Sequence, residues 1–541
     1  MNWKIIILLI FVCYEYSLAQ KPDILWQLDL KSMAFGNACA GDIDGDGKLE
    51  IVFATYFNDE TIYALNAEDG SVLWKYNTGG CNDAAPLIVD VDCDGSMEVI
   101  LHSSTSPYIY CFNGKDGTIK WKTSSVGTDS PPSAADLNND KKYDIFGGDF
   151  YARLFRWNGE DGSIVWSKQV DSNATVQTEP VIADVNGDGE LDCVVATWKR
   201  ESKNRISAYR LRDGELIWSC NEPSSMLYHG PVILDLDGDD NLEVVIGSYD
   251  GILYCLNGKD GSIKWTFNYP EKRYIGPPTT AADLNGDGLY EIAFISGNKL
   301  GILDNKGKLL WDYDMGLNNT SFRGAIFTDL DNKEGLDVLF GTMLGKLIAL
   351  KGNDGSKIFE YDMSKEFGNS FNIDHAPIVA DFNNDGMTDI FFVGGYAEYP
   401  NIEKNYGRAY MITIGKTQGP DWLMFRNNIR RNAVIPINQL SITDEKKDNK
   451  LNIFPNPANE YIDISYIINP TVNHRVDVIG ESEIRIYNVL GECMITICED
   501  GRTHPLIPSQ EGNLRISISN LPSGLYYVRL GDWEGSFVKI E

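Results

Sequence analysis

DIDGDGKLEIV, residues 42–52, decides the fold. Acids stand at its positions 1, 3, 5 and 9 (Asp42, Asp44, Asp46 and Glu50), and Gly47 fills position 6. Side chains at alternate positions converge on one point when the backbone curls, and glycine permits the curl. Hard oxygen donors in this number suit Ca2+ better than a transition metal. An EF-hand would need a bidentate Glu at position 12 and a helix after it. Here position 12 is Phe53 and a strand-like run follows, so the loop joins two β-strands.

Related strings begin at Asp90, Asp136, Asp184, Asp235, Asp283, Asp329 and Asp381, which makes eight in-phase copies at spacings of 46 to 52 residues. The candidate ligands beyond the first loop are Asp90, Asp92, Asp94 and Glu98; Asp136, Asn138, Asp140 and Asp144; and Asp184, Asn186, Asp188 and Asp192. They continue with Asp235, Asp237, Asp239 and Glu243; Asp283, Asn285, Asp287 and Glu291; and Asp381, Asn383, Asp385 and Asp389. Two of these loops lack Gly at position 6, where Lys141 and Asp240 stand. The copy at Asp329 has Lys333 at position 5, so binding there is expected to be weak or absent. Seven loops are therefore expected to take calcium.

A second motif runs in phase with the first: EDGSVLW ending at Trp74, KDGTIKW at Trp121, KDGSIKW at Trp265, and their counterparts at Trp166, Trp218 and Trp311. In the last copy Phe359 replaces Trp. Each unit reads as four short strands with turn signals between them; the second predicts strands over 86–89, 98–101, 108–112 and 118–122. Four antiparallel strands per repeat of this length predict β-propeller blades. The chain begins with Ile24-Leu25-Trp26, a fourth strand without its first three, and the eighth unit ends after its third at Tyr410-Met411-Ile412. The two ends predict a shared blade and an all-β, eight-bladed ring, with seven blades as the alternative should the Asp329 unit not form one.

Hydrophobic residues make up 43 % of the 541, enough for a packed core. A formal charge of −31 argues against nucleic acid and anionic membranes, which demand basic patches. Residues 1–19 read as a secretory signal: Lys4, an apolar run from Ile5 to Val12, then Ser17-Leu18-Ala19 for cleavage. No later segment reads as transmembrane. The ten cysteines include no CxxC pair and read mostly as buried free thiols.

The Asp loops, often preceded by a proline (Pro86, Pro132, Pro180, Pro231, Pro377), resemble the FG-GAP/VCBS repeat family, whose calcium loop integrin α-subunits share. The DG-x-x-x-W turns resemble the tryptophan-docking repeats of pyrroloquinoline-quinone dehydrogenases, but the adjacent-cysteine pair of those enzymes is missing. These resemblances imply a propeller over 20–434. DWLMFRNNIRRNAV, after Pro420, is similar to a segment flanking related propellers and is expected to pack on the ring, with Arg426, Arg430 and Arg431 paired at the surface. Residues 435–450 read as a polar linker. Over 451–541, Pro455-Asn456-Pro457, Asn488, Gly491 and Leu521 to Tyr526 fall on motif positions of the type A C-terminal sorting domain of the type IX secretion system. That resemblance implies a small β-sandwich, engagement of the type IX machinery, and release or surface attachment by way of the periplasm.

No HExxH, GxSxG or P-loop occurs, and the sequence singles out no catalytic set. His229 and His375 stand two residues before a blade proline, and Asp83, Asp129 and Asp374 occupy a corresponding loop, so all five are expected near one mouth of the ring. Blade alternation puts the Asp loops and DG turns on one face and the length-variable loops on the other. Recognition usually resides on variable loops, and Tyr228, Tyr274, Tyr396 and Tyr399 there offer stacking surfaces for a glycan or protein. Two functions are compatible with this: a non-catalytic binding or adhesion module, and a polysaccharide-active, lyase-like enzyme.

Overall fold

A computed structural model of the chain describes residues 22–435, apart from 201, 272, 334 and 418, and seven strands between 452 and 539. The expected signal segment, almost all of the linker, and motif residues Pro455 to Pro457, Gly491 and Leu521 to Ser523 lie outside the described residues. The chain divides into two compact units, 1–440 and 441–541.

Unit 1 is a propeller of eight four-stranded antiparallel sheets. Blade 1 comprises Cys39–Gly41, Glu50–Ala54, Thr61–Asn66 and Val72–Asn77. The innermost strands of blades 2 to 8 are Leu87–Val89, Ser133–Ala135, Val181–Ala183, Val232–Leu234, Thr280–Ala282, Ile326–Thr328 and Ile378–Ala380. In blade 2 the strands end within two residues of the predicted positions. The Asp329 unit forms a full blade, which removes the seven-bladed alternative. The ring closes as the ends predict: Asp23–Leu30 pairs with Tyr406–Gly415 as the outer strand of blade 8. Second strands are buried on both faces because each blade is sandwiched between neighbours, as in blade 1. They therefore read as continuous apolar runs, whereas the outer fourth strands alternate.

Neighbouring blades are locked by the tryptophans. Each indole lies over the turn of the next blade, and all but Trp265 donate Nε1–H to a carbonyl there, as Trp26 to Ala67 (2.8 Å), Trp121 to Gly159 (2.7 Å) and Trp218 to Gly258 (2.6 Å). The turn glycine is required twice over. Gly117 has φ +68°, and a Cβ on it would sit 2.6 Å from the Trp74 ring. Blade 8 has no such turn, because its third and fourth strands come from opposite ends of the chain. The fourth strand of blade 7 thus has no turn carbonyl to reach, and Phe359 serves there.

Residues 420–435 run through the middle of the ring, which corrects the expectation of surface arginines. The backbone of this segment bonds the innermost strands of five blades: Val379 N–H to Trp422 O, Ala40 to Leu423, Ala134 to Ile429, Ile182 to Arg430 and Ala281 to Ala433. Arg431, fully buried, donates to the carbonyls of Pro86 (2.9 Å), Pro132 (3.0 Å) and Phe425 (2.7 Å). Arg426, also buried, donates to Thr279 O and Pro231 O and pairs with buried Glu179 at 2.9 Å. The blade prolines thus aim carbonyls at the axis, and the guanidinium donors satisfy them. Arg430 alone is exposed.

Unit 2 contains two antiparallel sheets. One orders Asn452–Phe454, Tyr461–Ile467 and Glu511–Ser517; the other orders Cys493–Ile497, Ile484–Asn488, Gly524–Leu530 and Trp533–Lys539.

Candidate functional site

Each Asp loop connects the first and second strands of its blade, and two backbone bonds recur, each in seven of the eight loops among the described residues. The position-1 carboxylate accepts the N–H of position 6, as Asp42 does from Gly47 (3.0 Å) and Asp184 from Gly189 (2.8 Å). The position-9 carboxylate accepts the N–H of position 2, as Glu50 does from Ile43 (2.8 Å) and Glu291 from Leu284 (2.8 Å). Position 6 takes positive φ in every loop that has the pattern, including Lys141 (66°) and Asp240 (64°), which adopt the left-handed conformation without glycine.

Four loops bring three carboxylate oxygens within 4.8 Å of one another: Asp42/Asp44/Glu50, Asp90/Asp92/Asp94, Asp235/Asp237/Asp239 and Asp329/Asp331/Asp337. The other four carry an amide at position 3 (Asn138, Asn186, Asn285, Asn383). Burial, followed by crowding from the loop's own aspartates, pushes Glu50 up to about 7. Asp192 and Glu291 rise to about 7 and Asp389 to about 6, again chiefly through burial. These groups resist ionisation unless a cation is supplied. Asp192 and Asp389 are fully buried, each with an Oδ1 lacking a hydrogen-bond partner.

On the opposite face, the loops between blades converge on Arg323. Its Nε donates to Phe35 O (2.7 Å) and its Nη2 to Asp83 O (2.8 Å), and its Cζ lies 5.4 Å from the Phe322 ring centroid. The charge of Arg323 acts on Asp83, Asp129, Asp374, His229, His375 and Tyr228. Sequence position alone predicted that the three aspartates and two histidines share a mouth, and they do. Burial raises all three aspartates, Asp374 to about 6, and Asp83 rises further from its repulsion with Asp129. Burial depresses both imidazoles, His375 to about 3 and His229 well below its ordinary value, so both are neutral at physiological pH. One oxygen on each aspartate, Nε2 of His229 and Oε1 of Gln177 have no hydrogen-bond partner, although Gln177 Nε2 holds the other oxygen of Asp129 at 2.8 Å. Phe425 of the central segment lies 6.1 Å from His229.

Two aromatic groups flank this centre. Trp198 meets Tyr228 at 4.8 Å and Tyr249 at 5.6 Å, and Tyr249 stacks on Tyr274 at 5.1 Å. Across the mouth, Phe35, Tyr56, Phe57 and Tyr399 form a chain with centroids 4.9–5.6 Å apart. Of the four tyrosines expected on this face, Tyr228, Tyr274 and Tyr399 join these groups, while Tyr396 stacks on Tyr406 at 5.9 Å, away from both. Arg323, Trp198, Tyr249 and Tyr56 were missed. A repeat register could have found them: Tyr56, Trp198 and Tyr249 each stand two residues after the second strand of their blade, and Arg323 stands three residues before its blade's innermost strand, as His229 and His375 do.

The fold and the indole locks define an eight-bladed, tryptophan-docked β-propeller. Residues 19–197, 108–232 and 202–405 match the family described as outer membrane protein assembly factor BamB, and the chain belongs to that family. Residues 452–540 match the secretion system C-terminal sorting domain, which indicates type IX export to the outside or the cell surface. No helix among the described residues is long and apolar enough to cross a membrane. The chain is similar to a lambda-carrageenase of Pseudoalteromonas carrageenovora (32 % identity over 111 residues, 20 % of this chain and 11 % of that protein). It is similar also to rhamnogalacturonan exolyase YesX of Bacillus subtilis (23 % over 256 residues, 39 % of this chain and 38 % of that one). The chain thus spans well under half the length of these relatives. Among solved structures, the quinohemoprotein alcohol dehydrogenase ADHIIG of Pseudomonas putida HK5 shares the fold, with TM-score 0.51 and 14 % identity over 73 % of this chain and 77 % of that one.

Proposed function

We propose that the protein is an exported, calcium-stabilised propeller of FG-GAP/VCBS character that binds a carbohydrate chain across its mouth. The supporting observation is the mouth itself: buried aspartate oxygens without partners lie between two aromatic groups. Sugars present stacking faces and hydroxyl donors, and this arrangement offers aromatic planes and acceptors for both. A glycan array probed with the full chain, with and without calcium, tests the reading; binding to no glycan in either condition would remove it.

A second reading is cleavage of an acidic polysaccharide by β-elimination. His229, uncharged and with a buried Nε2 that has no partner, could take the proton next to a uronate carboxylate admitted to the mouth, whose charge Arg323 would offset. The names of the relatives above accord with it. Appearance of unsaturated-product absorbance on acidic polysaccharides, lost in His229→Ala, separates cleavage from binding alone.

A further inference from the structure

We infer that four of the eight Asp loops take a metal ion, those of blades 1, 4, 6 and 8, and that a lysine or arginine of the chain takes the ion's place in blades 2, 3, 5 and 7. The inference rests on the calcium reading above and replaces the seven sites that the loop strings suggest.

Blades 2 and 5 carry it furthest. Lys120 Nζ lies 2.6 Å from Asp92 and 2.9 Å from Glu98, the position-3 and position-9 acids of its loop. Lys264 Nζ lies 2.7 Å from both Asp237 and Glu243, the same two positions. Both lysines immediately precede the docking tryptophan, where the other blades have Leu25, Leu73, Val165, Ile217, Leu310 and Ile358. An ammonium held by two of the four ligands must leave before a dication can enter, and it repels that dication meanwhile. In blade 3, Arg156 stands where Ala64, Cys111 and Ala208 stand elsewhere, and its guanidinium binds the position-9 Asp144 at 2.7 and 3.1 Å. In blade 7, Lys333 replaces the position-5 acid and pairs with Asp331 at 2.9 Å.

The remaining loops have no such group. Lys48 in blade 1 turns outward to Glu68 (2.7 Å), and Arg210 in blade 4 is held by Asp213 and Glu215. In blades 4 and 8, the fully buried Asp192 and Asp389 each keep a carboxylate oxygen without a partner in the loop, at the position that Lys120 and Lys264 satisfy in blades 2 and 5. A cation supplied from solution completes these loops.

The test is a count. The full chain, stripped with EDTA and brought to equilibrium dialysis against radioactive calcium, should bind four ions. Lys120→Met and Lys264→Met should each add one, and the double variant should bind six. Both substitutions place an apolar side chain where six other blades already have one, so folding is expected to survive. Asp192→Asn and Asp389→Asn should each subtract one. Seven or eight ions in the unaltered chain, or no gain in either lysine variant, would overturn the partition and leave the calcium reading standing. No bound ion at all would overturn both.

Discussion

On the Asp-loop face, seven of the eight blades hold the position-9 acid by the same hydrogen bond, from the backbone N–H of position 2, and in blade 3 Arg156 holds it instead. On the mouth face the positions repeat but the residues differ: Asp83, Asp129, Gln177, Tyr228, Phe322 and Asp374 stand four residues before the innermost strand of their blades, and His229, Arg323 and His375 three before it. Repetition allows a ring to be built from interchangeable parts, whereas recognition of a ligand needs parts that differ. The central segment lies between the two, with its arginines satisfied by blade carbonyls on one side and Phe425 set against His229 on the other.

Removing calcium should affect the two faces most unequally. Each site saturated about a hundredfold above its Kd contributes about 2.7 kcal/mol, so with four sites EDTA should lower the melting temperature by about 10 °C. The effect should depend on pH. Without metal, Glu50, Asp192 and Glu291 titrate near 7 when folded, against about 4 when unfolded. The folded state then holds more protons than the unfolded one, and stability falls as pH rises through that window. Calcium binds the charged forms, so the gap between calcium and EDTA melts should widen from pH 5 to pH 8. A constant gap would detach these acids from the metal.

Next in size is the central ion pair. Arg426→Met leaves Glu179 buried without its partner, at a cost of about 3–5 kcal/mol, and adding Glu179→Gln should recover part of it in a denaturant melt. A smaller effect separates the faces directly. Asp129→Asn should weaken glycan binding about tenfold, about 1.4 kcal/mol, while calcium stoichiometry stays unchanged; a loss of bound calcium would tie the mouth to the scaffold. The smallest contrast lies within the scaffold. Trp218→Phe forfeits the bond to Gly258 and should cost about 1 kcal/mol. Trp265, whose indole N–H has no hydrogen-bond partner, should lose less in Trp265→Phe.

The repeat architecture was legible because it is local. Four strands, an Asp loop and a DG turn are written within each stretch of about fifty residues, and Ile24 to Trp26 announces the closure by lacking its own first three strands. The lysines before Trp121 and Trp265 were legible in the same strings, but their meaning depends on where an ammonium ends up, and that is a distance. Arg426 and Arg431 were misread for a related reason. A basic cluster near the end of a domain resembles a solvated surface until the ring supplies inward carbonyls, such as those of Pro86 and Pro132, for the guanidinium to bond.

The sequence by itself determined the four-strand repeat, the tryptophan turns, the Asp-loop pattern and the secretion tail, since each is fixed by residues close together in the chain, while the structure decided eight blades over seven. The tertiary structure decided what fills the axis, which loops hold their own cation, and which side chains meet at the mouth. Those contacts join residues hundreds apart, such as Arg323 with Phe35, and come into being only when the ring closes and brings eight loops to one point.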